Sequence, residues 1–197
     1  MDILQKAYRL KLEANKVLSE LDLIDTLQKV GEPNLVGSIV LDLMVYKDID
    51  IEVIVDPLNR KSISQVISNL ASKDSRRIDF SVINNTSDIK LKFPEGVYLG
   101  IKYHLGLDWI SNFSGNENTW KIDIWFVKKE NARSLKTTEM IKSQLTEQNK
   151  KIILEIKNSL YKEEGYRKVF TALDIYKAVL EERVGSVTEF NKHLGSR

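Results

Sequence analysis

Polar and apolar side chains alternate strictly between positions 48 and 53 of the chain. Acidic residues occupy positions 48, 50 and 52, and β-branched residues occupy positions 49, 51 and 53. Because successive side chains of a strand point to opposite faces of a sheet, this pattern predicts a strand with one acidic and one apolar face. The segment 120–127 repeats the alternation with one acid, Asp123, on its polar face.

Apolar residues at helical spacing predict helices on both sides of these strands. We expect helices at residues 2–20 and 22–30, with Gly31 as a stop signal, and another at residues 59–71. Strands are predicted at residues 34–36, 78–82 and 96–103. The apolar segment 39–46 predicts a buried helix or turn. The segment 108–118, rich in Asn, Ser and Gly, predicts a surface loop or lid. From residue 134 onward the pattern is helical, with breaks at Gly165 and Gly185.

The acidic face calls for a positive partner, because carboxylates two residues apart on a strand repel each other. Oxygen ligands of this kind suit a hard divalent cation, Mg²⁺ or Mn²⁺, better than zinc. The alternative is the solvated outer face of an edge strand, where acidic residues are common.

Three motifs together resemble a known fold. Gly37-Ser38 is followed by a spacer of nine residues, then by Asp48-Ile49-Asp50, and Asp123 lies on a later predicted strand. This arrangement resembles the nucleotidyltransferase fold of the DNA polymerase beta superfamily. Together with the segments 98–103 and 120–126, it resembles one branch of small bacterial nucleotidyltransferase-domain proteins.

The resemblance implies roles for individual residues. Asp48 and Asp50 would bind the metal ions that hold a nucleoside triphosphate, and Asp123 would be the third ligand or the base that activates the acceptor hydroxyl. Gly37 and Ser38 would cradle the phosphates. The spacer after Ser38 is more apolar than in many active transferases, which either forms a buried helix with the same geometry or indicates altered nucleotide contacts.

Other polar residues are weaker candidates. Lys47 and Lys121 flank the acids and either contact phosphate or are ordinary solvated lysines. Glu52 shares the acidic face, where a supporting or solvent-facing position is favoured over direct ligation. His104 is either a base or a structural residue. One of several aromatic residues could stack on the nucleotide base, although aromatic residues on strands more often belong to the core. These residues are Tyr98, Tyr103, Trp109, Trp120 and Trp125.

Composition limits the remaining classes. The formal net charge is +2, which lacks the strong basic field of most nucleic-acid binders and disfavours a polynucleotide acceptor. The chain has no cysteine and two histidines, which excludes thiolate sites and disfavours histidine zinc sites. With no membrane-length apolar run and no secretion signal, the expectation is a cytoplasmic bacterial protein, with a homodimer as one arrangement.

The sequence therefore predicts an α+β fold, with a nucleotidyltransferase-like mixed sheet of about five strands backed by helices and a helical C-terminal subdomain. The domains are expected at residues 1–130 and 131–197. The predicted function is metal-dependent transfer of a nucleoside monophosphate, for example from ATP, to a hydroxyl of a small molecule or protein. The alternatives are an inactive binding or regulatory module, such as a toxin–antitoxin-like partner or scaffold, and a metal-dependent phosphodiesterase.

Overall fold

The computed structural model describes residues 2–72, 78–85, 95–105 and 118–196. Within them, five strands form one sheet in the order β1-β2-β5-β4-β3. The strands are β1 (Glu32–Val36), β2 (Asp48–Ile54), β3 (Ile78–Asn85), β4 (Gly96–His104) and β5 (Thr119–Val127). The β2–β5 pair is parallel and the other pairs are antiparallel. The predicted mixed sheet of about five strands is confirmed, and it is mostly antiparallel.

The helices fall close to the predicted positions, and those of the C-terminal part follow directly on β5. They are α1 (Ile3–Glu20), α2 (Leu23–Gln28), α3 (Ser38–Leu41), α4 (Arg60–Ala71), α5 (Ser134–Gln144), α6 (Glu147–Leu160), α7 (Ala172–Glu182) and α8 (Val187–Gly195). No helix in the described ranges is both long and apolar enough to cross a bilayer. Most of the segment predicted as a loop or lid, at residues 108–118, lies outside the described residues.

Two apolar clusters hold these elements together. The first lies on the face of the sheet opposite the acids, where Ile49, Ile51 and Ile122 pack against α1, α2 and α4. The second joins the C-terminal helices to residues 41–45, among which Leu43 is fully buried. The apolar spacer thus forms a short helix followed by buried chain, as one of the two expectations had it. Since the spacer packs against α6 and α7, the C-terminal helices lie beside the acidic face.

Candidate active site

The three aspartates lie on one face of the sheet. In the parallel pair of β2 and β5, Asp50 is directly opposite Asp123, and Asp48 is opposite Lys121. Directly opposed residues of neighbouring strands project from the same face. The Lys121 ammonium confirms this placement, because its Nζ lies 3.8 Å from Asp48 Oδ1 and also contacts Asp123 Oδ2.

Two of the three carboxyl groups, those of Asp48 and Asp50, have raised pKa values. Burial raises the pKa of Asp50 to about 7, and the negative charges of Asp48 and Asp123 add to the shift. Burial also raises the pKa of Asp48, against the opposing effect of Lys121 and Arg167. A cluster of this kind is stabilised by any cation that enters it.

Two basic side chains, Arg167 and Lys121, partly neutralise the aspartates. The Arg167 guanidinium donates to Asp48 Oδ2 at 2.8 Å. Within the described residues, the buried Asp48 Oδ1 has no hydrogen-bond partner. Among the described residues, no three His, Asp or Glu side chains lie close enough together to bind a metal ion as they stand. A metal ion bound by the aspartates would therefore replace the contacts of Arg167 and Lys121.

Gly37 lies against the cluster, at the turn between β1 and α3. Its φ of 68° and ψ of −144° belong to a region that is almost exclusive to glycine. A Cβ at this position would lie 3.0 Å from Asp50 Oδ2. The Gly37 N–H donates to Thr138 Oγ1 of α5 at 2.9 Å, and Ser38 is buried. The turn thus lies where the motif predicts, although one of its backbone donors is already occupied.

Glu52 supports a helix instead of facing solvent. Its carboxylate is 1% exposed and accepts backbone N–H groups from Arg133 at 3.2 Å, Ser134 at 3.0 Å and Leu135 at 3.1 Å. These are donors of the first turn of α5, which has no side-chain cap from its own N-cap residue. Glu52 therefore joins the acidic strand to the helix that carries Thr138.

Tyr98 positions the third aspartate. Its hydroxyl donates to Asp123 Oδ1 at 2.7 Å, and its ring lies 5.2 Å from that of Trp125. Gly100 makes this possible, because a Cβ there would lie 2.6 Å from the Tyr98 hydroxyl oxygen. The carboxylate of Asp123 is thus held in place by Tyr98 on one oxygen and by Lys121 on the other.

A cavity of about 800 Å³ opens beside Asp48. Among the described residues that line it, Asp48 is the one acid, and the other polar residues are mostly basic or tyrosine. The basic lining residues are Lys6, Lys47, Lys102, Lys121, Lys162 and Arg167, and the tyrosines are Tyr46, Tyr161 and Tyr166. Basic side chains therefore outnumber acidic ones in the lining of this positive cavity, although the chain as a whole is nearly neutral and Lys47, Lys121 and Arg167 are each paired with a carboxylate.

The tyrosines form the wall of the cavity nearest the C-terminal helices. The Tyr46 ring stacks on that of Tyr161 at 5.4 Å, and its hydroxyl lies 3.1 Å from the hydroxyl of Tyr166. Lys47 also lines the cavity, and its Nζ lies 3.5 Å from Glu13 Oε2. Both lysines that flank the acids in the sequence therefore line the cavity.

Lys157 is a buried cation behind this wall. It is 2% exposed, donates to Leu43 O at 2.9 Å and to the Tyr176 hydroxyl at 3.2 Å, and lies 5.3 Å from the Tyr46 ring centroid. Burial lowers its pKa to about 8, although Asp48 and Asp50 favour its charged form. Its positive charge thus faces the acid cluster from α6.

Sequence reasoning missed Lys157, Arg167 and Tyr46. Lys157 has the periodicity of an ordinary helix lysine, and Arg167 lies in an irregular segment between α6 and α7. The sequence does carry a signal for Tyr46, which lies two residues before Asp48, but the pattern assigns it to the apolar spacer.

The histidine and the aromatic residues considered as weaker candidates lie, where the structure describes them, partly in the core and partly on the polar face of the sheet. His104 contacts none of the three clustered aspartates: its Nε2 lies 3.0 Å from Asp79 Oδ2 and its Nδ1 3.0 Å from Thr119 Oγ1. Trp120 and Tyr103 are core residues, whereas Tyr98 and Trp125 lie on the polar face. Trp109 is outside the described residues.

Comparison with solved structures identifies the fold. A cytoplasmic RNA terminal U-transferase aligns with a TM-score of 0.57 and 14% identity over 90% of this chain and 50% of that one. The Cid1 poly(U) polymerase with Mg and 3′-dATP bound aligns with a TM-score of 0.57 and 15% identity, over 90% and 54% of the two chains. Cid1 in complex with its short product ApU has a TM-score of 0.54 and 14% identity, over 90% and 53%.

At this identity the likeness concerns the fold, which is that of a nucleotidyltransferase. The chain spans about half the length of these structures. No protein-family model and no curated protein sequence matches it.

Proposed function

We propose that this protein transfers a nucleoside monophosphate from a nucleoside triphosphate to a hydroxyl group. The observation that carries the proposal is the in-register placement of Asp50 and Asp123, with Asp48 on the same face and Gly37 against it. The nucleotidyltransferase fold and the positive cavity beside Asp48 support it.

The donor set of the site fits Mg²⁺ or Mn²⁺. The candidate ligands Asp48, Asp50 and Asp123 offer oxygen alone, and Asp48 Oδ1 is buried with no hydrogen-bond partner among the described residues. The bound ion would supply positive charge against the triphosphate and the developing pyrophosphate.

The protein's own residues would orient the reactants. The acceptor oxygen forms a bond to the α-phosphorus, the bond from that phosphorus to the bridging oxygen breaks, and pyrophosphate leaves. Asp123, held by Tyr98, receives the acceptor proton. Lys121 and Lys47 line the cavity and would contact phosphate oxygens, and Gly37 and Ser38 would lie against the phosphates.

The cavity favours an anionic acceptor over the uncharged or cationic small molecule that net charge alone allows. Six basic side chains among its described lining residues would repel a polycation and attract a phosphate-bearing hydroxyl compound. The expectation against a polynucleotide relied on the overall charge of +2, which does not describe this local field. A short RNA is therefore a candidate acceptor beside a small molecule or protein.

Substitution of the aspartates tests the proposal. Asp48→Asn and Asp50→Asn should each abolish Mg²⁺-dependent binding of nucleoside triphosphates in calorimetry, screened over the four common nucleotides. Asp56→Asn is the matched control, because Asp56 is exposed just beyond the end of β2. Retained binding in both site variants would contradict the assignment. Pyrophosphate release with a short RNA, compared with neutral and cationic alcohols, then identifies the acceptor class.

A second candidate function is a binding module in which the acids are a remnant. The contacts of Arg167 and Lys121 with Asp48 and Asp123, which already neutralise part of the cluster, favour it. It predicts that no nucleotide raises the melting temperature with or without Mg²⁺, whereas the transferase proposal predicts a Mg²⁺-dependent rise.

A further inference from the structure

The position of Arg167 has a consequence for how metal and nucleotide would bind together. Its guanidinium donates to Asp48 Oδ2 at 2.8 Å and to the Tyr46 hydroxyl at 3.2 Å, and it lines the positive cavity. We infer that Arg167 competes with the metal ion for Asp48 and, once displaced, binds the phosphates of the nucleoside triphosphate. This inference rests on the function proposed above.

The backbone at Arg167 is fixed while its side chain is accessible. Its φ is 67°, in the left-handed region, and its N–H donates to Phe170 O at 2.6 Å. Phe170 is buried and its ring packs 5.7 Å from Tyr166 and 5.4 Å from Phe190. The Arg167 side chain, by contrast, is 48% exposed. The guanidinium can therefore move from Asp48 into the cavity without a change in the turn that carries it.

An arginine is suited to both partners. A guanidinium presents a planar set of donors that matches the two oxygens of a carboxylate and equally those of a phosphate. In the metal-free state Arg167 neutralises Asp48, which is almost fully buried and carries a second oxygen near Lys121. An ion bound to Asp48 would repel the guanidinium, and the nearest negative charge left for it would be the triphosphate.

The inference gives opposite signs for two affinities. Without the positive charge of Arg167, a divalent ion should bind the nucleotide-free protein more tightly. Loss of the arginine charge also favours binding of a proton to the carboxylates, which competes with the metal ion. The metal ion benefits more, because it carries two positive charges and the proton carries one. Binding of the nucleotide with its metal should weaken, because a phosphate contact is lost. A residue that merely held the structure together would weaken both.

Calorimetry with Arg167→Ala tests both signs. Alanine keeps a Cβ, so the left-handed backbone is equally strained in both proteins. MnCl₂ is titrated into the nucleotide-free protein, and the α,β-methylene analogues of ATP and UTP are titrated in the presence of Mg²⁺. We expect Mn²⁺ to bind the Arg167→Ala variant roughly three- to tenfold more tightly than it binds the wild type. Whichever analogue the wild type binds should bind the variant about tenfold more weakly.

Lys168→Ala is the matched control. It removes the same charge from the neighbouring residue, whose Nζ pairs with Glu164 at 2.9 Å, away from the cavity lining. Both of its affinities should stay within about twofold of the wild type. The inference is wrong if Arg167→Ala behaves like this control or weakens Mn²⁺ binding. A wild type that binds neither Mn²⁺ nor an analogue overturns the proposed function as well, which distinguishes the two failures.

Discussion

Replacement of Glu52 by glutamine tests whether a carboxylate of the acidic strand supports the first turn of α5. The amide keeps one oxygen, which can still accept the N–H groups of Arg133 and Ser134, but it turns an NH₂ group toward the N–H of Leu135. Two donors would then face each other in a buried position. The negative charge at the positive end of the helix dipole is lost as well.

The expected cost follows from these contacts. An unsatisfied buried donor costs about 1–3 kcal/mol. Loss of the charge at the helix N-terminus adds about 0.5–1 kcal/mol. Glu52→Gln should therefore lower the free energy of unfolding by about 1.5–4 kcal/mol, a large fraction of the total for a domain of this size.

Urea denaturation at pH 7.5 measures this change as a shift of the midpoint at constant slope. The control is Glu32→Gln, an exposed glutamate on β1, which should change stability by less than about 0.5 kcal/mol. Hydrogen exchange supplies a local readout, since the amides of Ser134 and Leu135 should exchange faster in the Glu52 variant. Equal stability of the two variants, with unchanged exchange at these amides, would refute the reasoning.

Two further predictions concern buried ionisable groups. In the metal-free protein Asp50, with its pKa raised to about 7, retains a proton that the unfolded chain releases, so stability falls as pH rises from about 4 to 7. The free energy of unfolding of Asp50→Asn, relative to that of the wild type, should therefore increase by about 2 kcal/mol between pH 5 and pH 8. This difference should shrink when Mg²⁺ is added. A difference in stability that does not change with pH would contradict the prediction. Lys157, with its pKa lowered to about 8, carries a buried charge below that pH, and the cost is relieved as pH rises toward 10.5. In thermal or urea unfolding, wild type should gain about 2 kcal/mol relative to Lys157→Met between pH 8 and pH 10, and parallel pH profiles of the two proteins would exclude this.

Much of the fold follows from local patterns. The alternation at residues 48–53 and 120–127 predicted β2 and β5, and the helical spacing predicted α1, α2 and α4 within a few residues. Asn59 accepts the N–H of Lys61 at 2.9 Å, as expected of an N-cap at the start of α4. Periodicity and capping report on the nearest few residues, and these elements depend on little else.

The parts of the site that depend on distant contacts were not predictable. Glu52 and Asp48 are equivalent in the alternating pattern, but one binds a helix N-terminus 81 or more residues away and the other binds Arg167. Likewise, burial of Lys157 depends on its packing against Tyr46 and Tyr176. A sequence period assigns each side chain to a face of its element, whereas tertiary packing decides what covers that face.

The central position of β5 sets the order in which the acids can meet. Asp123 follows Asp50 by 73 residues, and its strand must enter between β2 and β4. A parallel pairing of this kind has no local turn to guide it, so it depends on long-range closure of the chain. During synthesis the first two aspartates therefore emerge and take their places in an incomplete sheet, with water still around them. Repulsion among all three carboxylates arises only when the final strand closes the sheet, and the helices of the second apolar cluster follow that strand in the chain.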